Sequence, residues 1–171
     1  MRRLTIVLAL LPLMANAAPV QAQTEMVTVT PAQIGEIFCI SRTGNDDGIL
    51  AGLLTGELGT LIAYAEARND TIALAYPGEK PPLGDGIPFA SFPDYAPNCT
   101  PGSVAIDGKS ARVTIGYGFP EAPSADYTDT LELRLVPHPA NPEIGIWRID
   151  DIRYTTSGTL RDVLTTAFDQ Q

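Results

Sequence analysis

The stretch Trp147-Arg148-Ile149-Asp150-Asp151-Ile152-Arg153-Tyr154 decides the fold, because its apolar residues alternate as in a strand but change phase in the middle. Side chains swap faces at each step along a strand, so the apolar residues before and after the two aspartates would point to opposite faces. A bulge at Asp150-Asp151 adds one unpaired residue and restores a single apolar face. The sequence therefore predicts a long final strand that carries two carboxylates at a kink.

Three alternating segments precede this strand. Ser103 to Ile106 and Arg112 to Phe119 flank Asp107-Gly108-Lys109, which is a hairpin signal. Leu131 to Leu135 alternates leucines with charged residues, and the Pro-rich loop Pro137 to Pro142 separates it from the final strand. Four strands with short connections predict an antiparallel meander.

Helical patterns lie before and after the predicted strands. Thr30 to Gln33 opens the first helix with a capping box, and Asn45 to Gly48 ends it. A second helix runs from near Thr55 to near Asn69. A Pro-rich connector from Tyr76 to Pro101 follows, with aromatics that need something to pack against. The last helix has the most regular apolar spacing in the chain, at Leu160, Val163, Leu164, Ala167 and Phe168.

The N-terminus carries the pattern of an export signal. Arg2-Arg3 precedes a short apolar run, Leu4 to Met14, which is far below the ~20 residues that cross a bilayer. Two cleavage sites fit the small residues that follow, and we favour the one after Ala22 over the one after Ala17. No Cys lies near either site, and the residues around the arginines are not those of a twin-arginine signal. The sequence predicts an unlipidated protein that is exported to the periplasm or secreted.

Residues 23–171 are then predicted to form one α+β domain. Its order of elements indicates a curved four-stranded antiparallel sheet, wrapped by two N-terminal helices and one C-terminal helix. The chain has 20 acidic and 11 basic side chains, and loss of Arg2 and Arg3 with the signal leaves 9 basic ones and a net charge near −11. This acidity disfavours nucleic acid, whose phosphates need Lys and Arg, and an anionic membrane surface.

Cys39 and Cys99 are the two cysteines of the chain. In an exported protein they predict an intramolecular disulfide, and the alternative is a pair of separately buried thiols. The Cys-x-x-Cys spacing of a redox pair is absent. Two distant cysteines and one histidine, His138, supply too few ligands for a metal site. We predict a structural disulfide and neither a metal nor another cofactor.

Together with Leu160 and Leu164, the final strand resembles a group of exported bacterial proteins of unknown function. That group is similar to the nuclear transport factor 2-like, cystatin-like superfamily of cone-shaped α+β proteins. The resemblance extends back through Gly108 to Val113 and through Pro88-Phe89, and it covers most of the chain from about Ile34. It implies a cavity between sheet and helices, which the superfamily uses for binding, dimerisation and in some cases catalysis. Fold alone does not select among these uses.

Asp150 and Asp151 are the candidates for catalysis. Desolvation in a cavity would raise the pKa of one such carboxylate, and the resemblance implies that isomerases and dehydratases of the superfamily use an inward acid in this way. The alternative, which we favour, is that both aspartates accept hydrogen bonds from donors that the bulge frees. His138 lies between two prolines and is interpreted as a loop residue. Asn45 to Gly48 lacks the glutamate of a calcium loop and is interpreted as a turn.

Six aromatic residues could line a small-molecule pocket, although they could equally form ordinary core: Tyr64, Phe89, Phe92, Tyr95, Tyr117 and Trp147. The sequence favours a non-enzymatic binding or interaction module, monomeric or homodimeric, for an unidentified protein or a small apolar ligand. One alternative is a small cavity enzyme of isomerase or dehydratase type that uses Asp150 or Asp151. The other is an accessory subunit of a cell-envelope assembly.

Overall fold

The computed structural model describes residues 28–44, 46–84, 86–92 and 96–169, so the predicted export signal lies outside the described residues. Within them the fold is α+β, with the predicted four-stranded antiparallel meander in the order β1-β2-β3-β4. The helices are α1 (Pro31–Gly44), α2 (Gly56–Ala75) and α3 (Leu160–Thr166), and the strands are β1 (Asn98–Asp107), β2 (Ser110–Gly118), β3 (Tyr127–His138) and β4 (Asn141–Arg153). Short 3₁₀ helices lie at Asp47–Leu53 and Pro123–Ala125.

The last strand contains the predicted bulge. Asp151 pairs with Glu132, whereas the next residue of β3 pairs with Ile149, so Asp150 has no partner in the ladder. The extra residue shifts the phase of β4 by one position. As a result, Ile149 and Ile152 both face the core, and each is only 1% exposed.

The helices cover the face of the sheet that this register makes apolar. Val113, Leu131 and Ile152 lie side by side on β2, β3 and β4, and all three are buried. α1 packs against β1 and β2, whereas α2 and α3 pack against each other and against β4. Gly35 lets α1 approach closely, because a Cβ at that position would lie 2.9 Å from Cγ1 of Val113.

The predicted disulfide between Cys39 and Cys99 is confirmed. It joins α1 to β1, with the two Cα atoms 5.1 Å apart. Cys99 lies in the sheet and not in the connector, because β1 begins at Asn98 and is longer than the alternating pattern predicts. Pro101 is tolerated within β1 because this strand is at the edge of the sheet and its pairing with β2 is interrupted after that proline.

The helix caps are confirmed, but several boundaries differ from prediction. Thr30 and Gln33 form the capping box of α1. α2 continues past its predicted end to Ala75, because the side chain of Asn69 does not end the helix but accepts a hydrogen bond from the backbone N–H of Leu83 at 2.9 Å. The 3₁₀ helix at Asp47–Leu53 was not predicted, since a segment of 7 residues gives too little periodicity.

The Pro-rich loop predicted at Pro137 to Pro142 is instead a tight hairpin. β3 runs to His138 and β4 begins at Asn141, so His138 lies at the end of a strand and not in a loop. The backbone N–H of Ala140 donates to Nδ1 of this histidine at 3.1 Å. The pairing is irregular next to Pro137, which has no N–H to donate to a ladder.

Candidate functional site: a cleft beneath the connector

A cleft of about 290 Å³ lies at the end of the sheet where β2 ends and β3 begins. The connector from Lys80 to Phe92 forms one side of it, and the C-terminal end of α1 and the adjoining strand ends form the other. Its volume is close to the ~300 Å³ at which ligand pockets in proteins begin. The side chains that give it chemical character are Arg42, Lys80, Phe89, Phe92, Tyr117 and Tyr127.

The connector is fixed over the cleft by hydrogen bonds from distant parts of the chain. Leu83 donates to the buried side chain of Asn69, and the hydroxyl of Tyr154 donates to the backbone oxygen of Pro88 at 2.5 Å. The turn at Gly84 has a φ of +59°, which glycine adopts at little cost. These contacts give a Pro-rich segment without regular structure a defined position.

Asp129 is the strongest of these attachments. Its carboxylate is 1% exposed and accepts hydrogen bonds from the backbone N–H of Ser91 at 2.8 Å, from the Ser91 hydroxyl, and from the backbone N–H of Thr155 at 2.9 Å. A buried carboxylate needs such donors to compensate its desolvation. Sequence reasoning missed this residue, although continuing the alternation of Leu131 to Leu135 back by one step places Asp129 on the inward face.

Three aromatic rings form one wall of the cleft. Tyr117 and Tyr127 stack with centroids 4.5 Å apart, and Phe92 meets the ring of Tyr127 edge to face at 4.9 Å. The Tyr117 hydroxyl is buried and has no hydrogen-bond partner among the described residues. Burial, with a further contribution from the charge of Asp129, raises the pKa of Tyr117 far above its ordinary value. This hydroxyl therefore stays protonated.

The rim of the cleft carries charged groups. The guanidinium of Arg42 lies over the ring of Phe89, 5.5 Å from its centroid, and is paired with the carboxylate of Asp47. Arg42 is nearly buried, whereas the side chain of Asp47 is 45% exposed. Lys80 crosses the turn at Gly84, since a Cβ on that glycine would come within 2.7 Å of Cε of the lysine.

The bulge aspartates do not line this cleft. Asp150 accepts hydrogen bonds from the Thr55 hydroxyl and from Arg161, both at 2.9 Å, and is paired with Arg134 at 2.9 Å. Asp151 accepts from its neighbouring backbone N–H at 2.8 Å and from the backbone N–H of Arg161, in the first turn of α3, at 3.1 Å. Both carboxylates thus join elements of the fold, as the favoured alternative predicts.

The other predicted residues fall in different places. Phe89, Phe92 and Tyr117 line the cleft, whereas Tyr64 is 63% exposed on α2 and Trp147 packs half-buried against the core. Tyr95 lies outside the described residues, as does Asn45 of the predicted turn. Asp46 and Gly48 do form that turn, through a hydrogen bond of 3.1 Å between the aspartate side chain and the glycine N–H. Tyr127, Arg42 and Lys80 were not predicted as site residues.

No family model, curated protein or solved structure matches this chain. Its assignment to the nuclear transport factor 2-like superfamily therefore stays a prediction. Among the described residues, no group of three or more His, Cys, Asp and Glu side chains is arranged to hold a metal ion. None of the helices in that part of the chain has the length and apolar character needed to cross a membrane.

Proposed function

We propose that this protein is a binding module that takes up a small, largely apolar ligand in the cleft beneath the connector. The observation that carries the proposal is the wall of Phe92, Tyr117 and Tyr127, which presents aromatic surface to a cleft of about 290 Å³. At ~30 Å³ for each water in the liquid, this space is equivalent to roughly ten waters. It fits a compound of one or two rings.

The placement of the acids favours binding over catalysis. A general base must reach the proton that it removes, directly or through one water. Asp150 and Asp151 do not line the cleft, and they accept hydrogen bonds from groups of the fold itself. Asp129 is adjacent to the cleft, but three donors already occupy its oxygens. An isomerase or dehydratase has no comparable support.

We also propose that the mature protein, residues 23–171, is exported to the periplasm or secreted. The export pattern of residues 1–22 supports this address, and the Cys39–Cys99 disulfide is in keeping with an oxidising compartment. For the fold, we propose the nuclear transport factor 2-like cone. The meander, the bulge in its last strand and the helices on its apolar face support that assignment.

Binding of 2-naphthol, an uncharged two-ring probe, tests the function. Isothermal titration of the mature protein should give a saturable complex, and Phe92→Ala should weaken it about fivefold, or ~1 kcal/mol. Phe92 suits this test because it is 44% exposed, so truncation leaves the core intact. Tyr64→Ala is the matched control, since it removes an exposed aromatic ring away from the cleft, and should leave the affinity unchanged. Equal losses in both variants, or no binding by a panel of one- and two-ring probes, would reject the proposal.

A further inference from the structure

We propose that the ligand is an aromatic carboxylate and that its anionic group binds Arg42 in the position that Asp47 now occupies. The inference rests on the proposed function and specifies the chemical class of the ligand. The cleft thus combines an aromatic wall for the ring with a preformed cationic anchor, and the protein's own acid occupies the anchor while the cleft is empty.

Arg42 has the geometry of an anchor. It lies in the last turn of α1, only 8% exposed, with its guanidinium held over the ring of Phe89. Stacking on a ring restricts a guanidinium to one plane, and that plane is the one in which it binds a carboxylate through two parallel hydrogen bonds. The disulfide at Cys39, one turn earlier on α1, further fixes the helix that carries it.

Asp47 has the properties of a replaceable partner. Its side chain is 45% exposed, it begins a short 3₁₀ helix, and the contact recorded for it joins one carboxylate oxygen to one nitrogen of Arg42. An ion pair with one exposed member contributes little net stability, since the exposed carboxylate loses little when it returns to water. A ligand carboxylate offers the same charge and adds the burial of its ring against Tyr117 and Tyr127, so it should displace Asp47.

The charges around the cleft favour an anion over a cation. Among the described residues that line it, the basic side chains Arg42 and Lys80 outnumber the single acid, Asp47. Asp129, behind the connector, is already bound by its three donors. This placement contrasts with the strongly acidic composition of the whole chain, whose net charge is −9. Two cations on one cleft are therefore a local feature of the site.

Titration with 2-naphthoate and 2-naphthamide tests this inference, because the two probes share a ring system and differ in charge. The wild-type mature protein should bind the carboxylate at least tenfold more tightly than the amide. Asp47→Asn should tighten naphthoate binding at least threefold and leave naphthamide binding unchanged, because it removes the competing acid. Asp70→Asn, the same chemical change at an exposed position of α2, controls for net charge and should alter neither affinity.

Arg42→Gln should abolish the preference for the carboxylate, and Arg42→Lys should restore only part of it, because an ammonium cannot form the paired hydrogen bonds. If the arginine variants fail to fold, Asp47→Asn still decides the question, since the aspartate is half-exposed. Equal affinity for both probes, or no effect of Asp47→Asn, overturns the carboxylate assignment while leaving the proposed function standing. Failure of both probes to bind overturns the two together.

Discussion

Removal of the Cys39–Cys99 disulfide should destabilise the protein by about 4 kcal/mol. The bond joins residues separated by 60 positions in the sequence. On the chain-entropy model, closing a loop of that length removes ~14 cal/mol/K of entropy from the unfolded chain, which is about 4 kcal/mol at 25 °C. Cys39 is 5% exposed, so alanine is the better replacement, because serine would bury a hydroxyl. The perturbation is therefore the double variant Cys39→Ala/Cys99→Ala.

Urea unfolding of the mature protein, analysed by linear extrapolation, measures this loss. With a slope of ~2 kcal/mol/M, the unfolding midpoint should fall by about 2 M. Wild-type protein unfolded with a reductant present is the control and should match the double variant, because both lack the bond. A loss below about 1 kcal/mol would refute the entropic reasoning. Two thiols that alkylate in the denatured, unreduced wild type would refute the disulfide itself.

Two further changes test the cleft and the bulge. Tyr117→Phe removes a hydroxyl without a partner, so urea melts should show equal or higher stability, by up to about 1–3 kcal/mol. Because the pKa of Tyr117 is raised in the fold, the unfolded chain ionises first and stability should fall above pH 10; the variant should lose less there, and equal losses would contradict this. Asp150→Asn removes the shared partner of Arg134 and Arg161 and should destabilise by about 1–3 kcal/mol, whereas a gain in stability would revive the catalytic reading.

The parts of the fold that could be predicted are those whose cause is local in sequence. The capping box of α3 needs only Thr159 and Asp162, three positions apart, and it is present. The bulge follows from the phase of the apolar residues around Asp150-Asp151, since a strand can bury both halves in no other way. The disulfide follows from an exported chain with two cysteines. In each case a few neighbouring residues, or a count, contain the whole argument.

The cleft could be predicted only in part, because it depends on contacts between segments far apart in the chain. The aromatics of the connector indicated that Phe89 and Phe92 pack against something, but not which end of the sheet they would meet. That choice is made by Asp129, which lies 38 residues from its partner Ser91. Asn69 shows the same limit, since its tertiary hydrogen bond to the connector resembles a helix stop when it is read locally.

The bulge and the cleft are connected, although the bulge aspartates do not line the cleft. By shifting the phase of β4, the unpaired Asp150 turns Tyr154 toward the helices, where its hydroxyl holds the connector at Pro88. The same shift brings the backbone N–H of Thr155 to the carboxylate of Asp129. Without the extra residue, Tyr154 would point to the outer face and both attachments would be lost, because a slip of one residue exchanges the faces of a strand. The two aspartates therefore act on the cleft through register, and this accounts for acids at the kink without assigning them any chemistry.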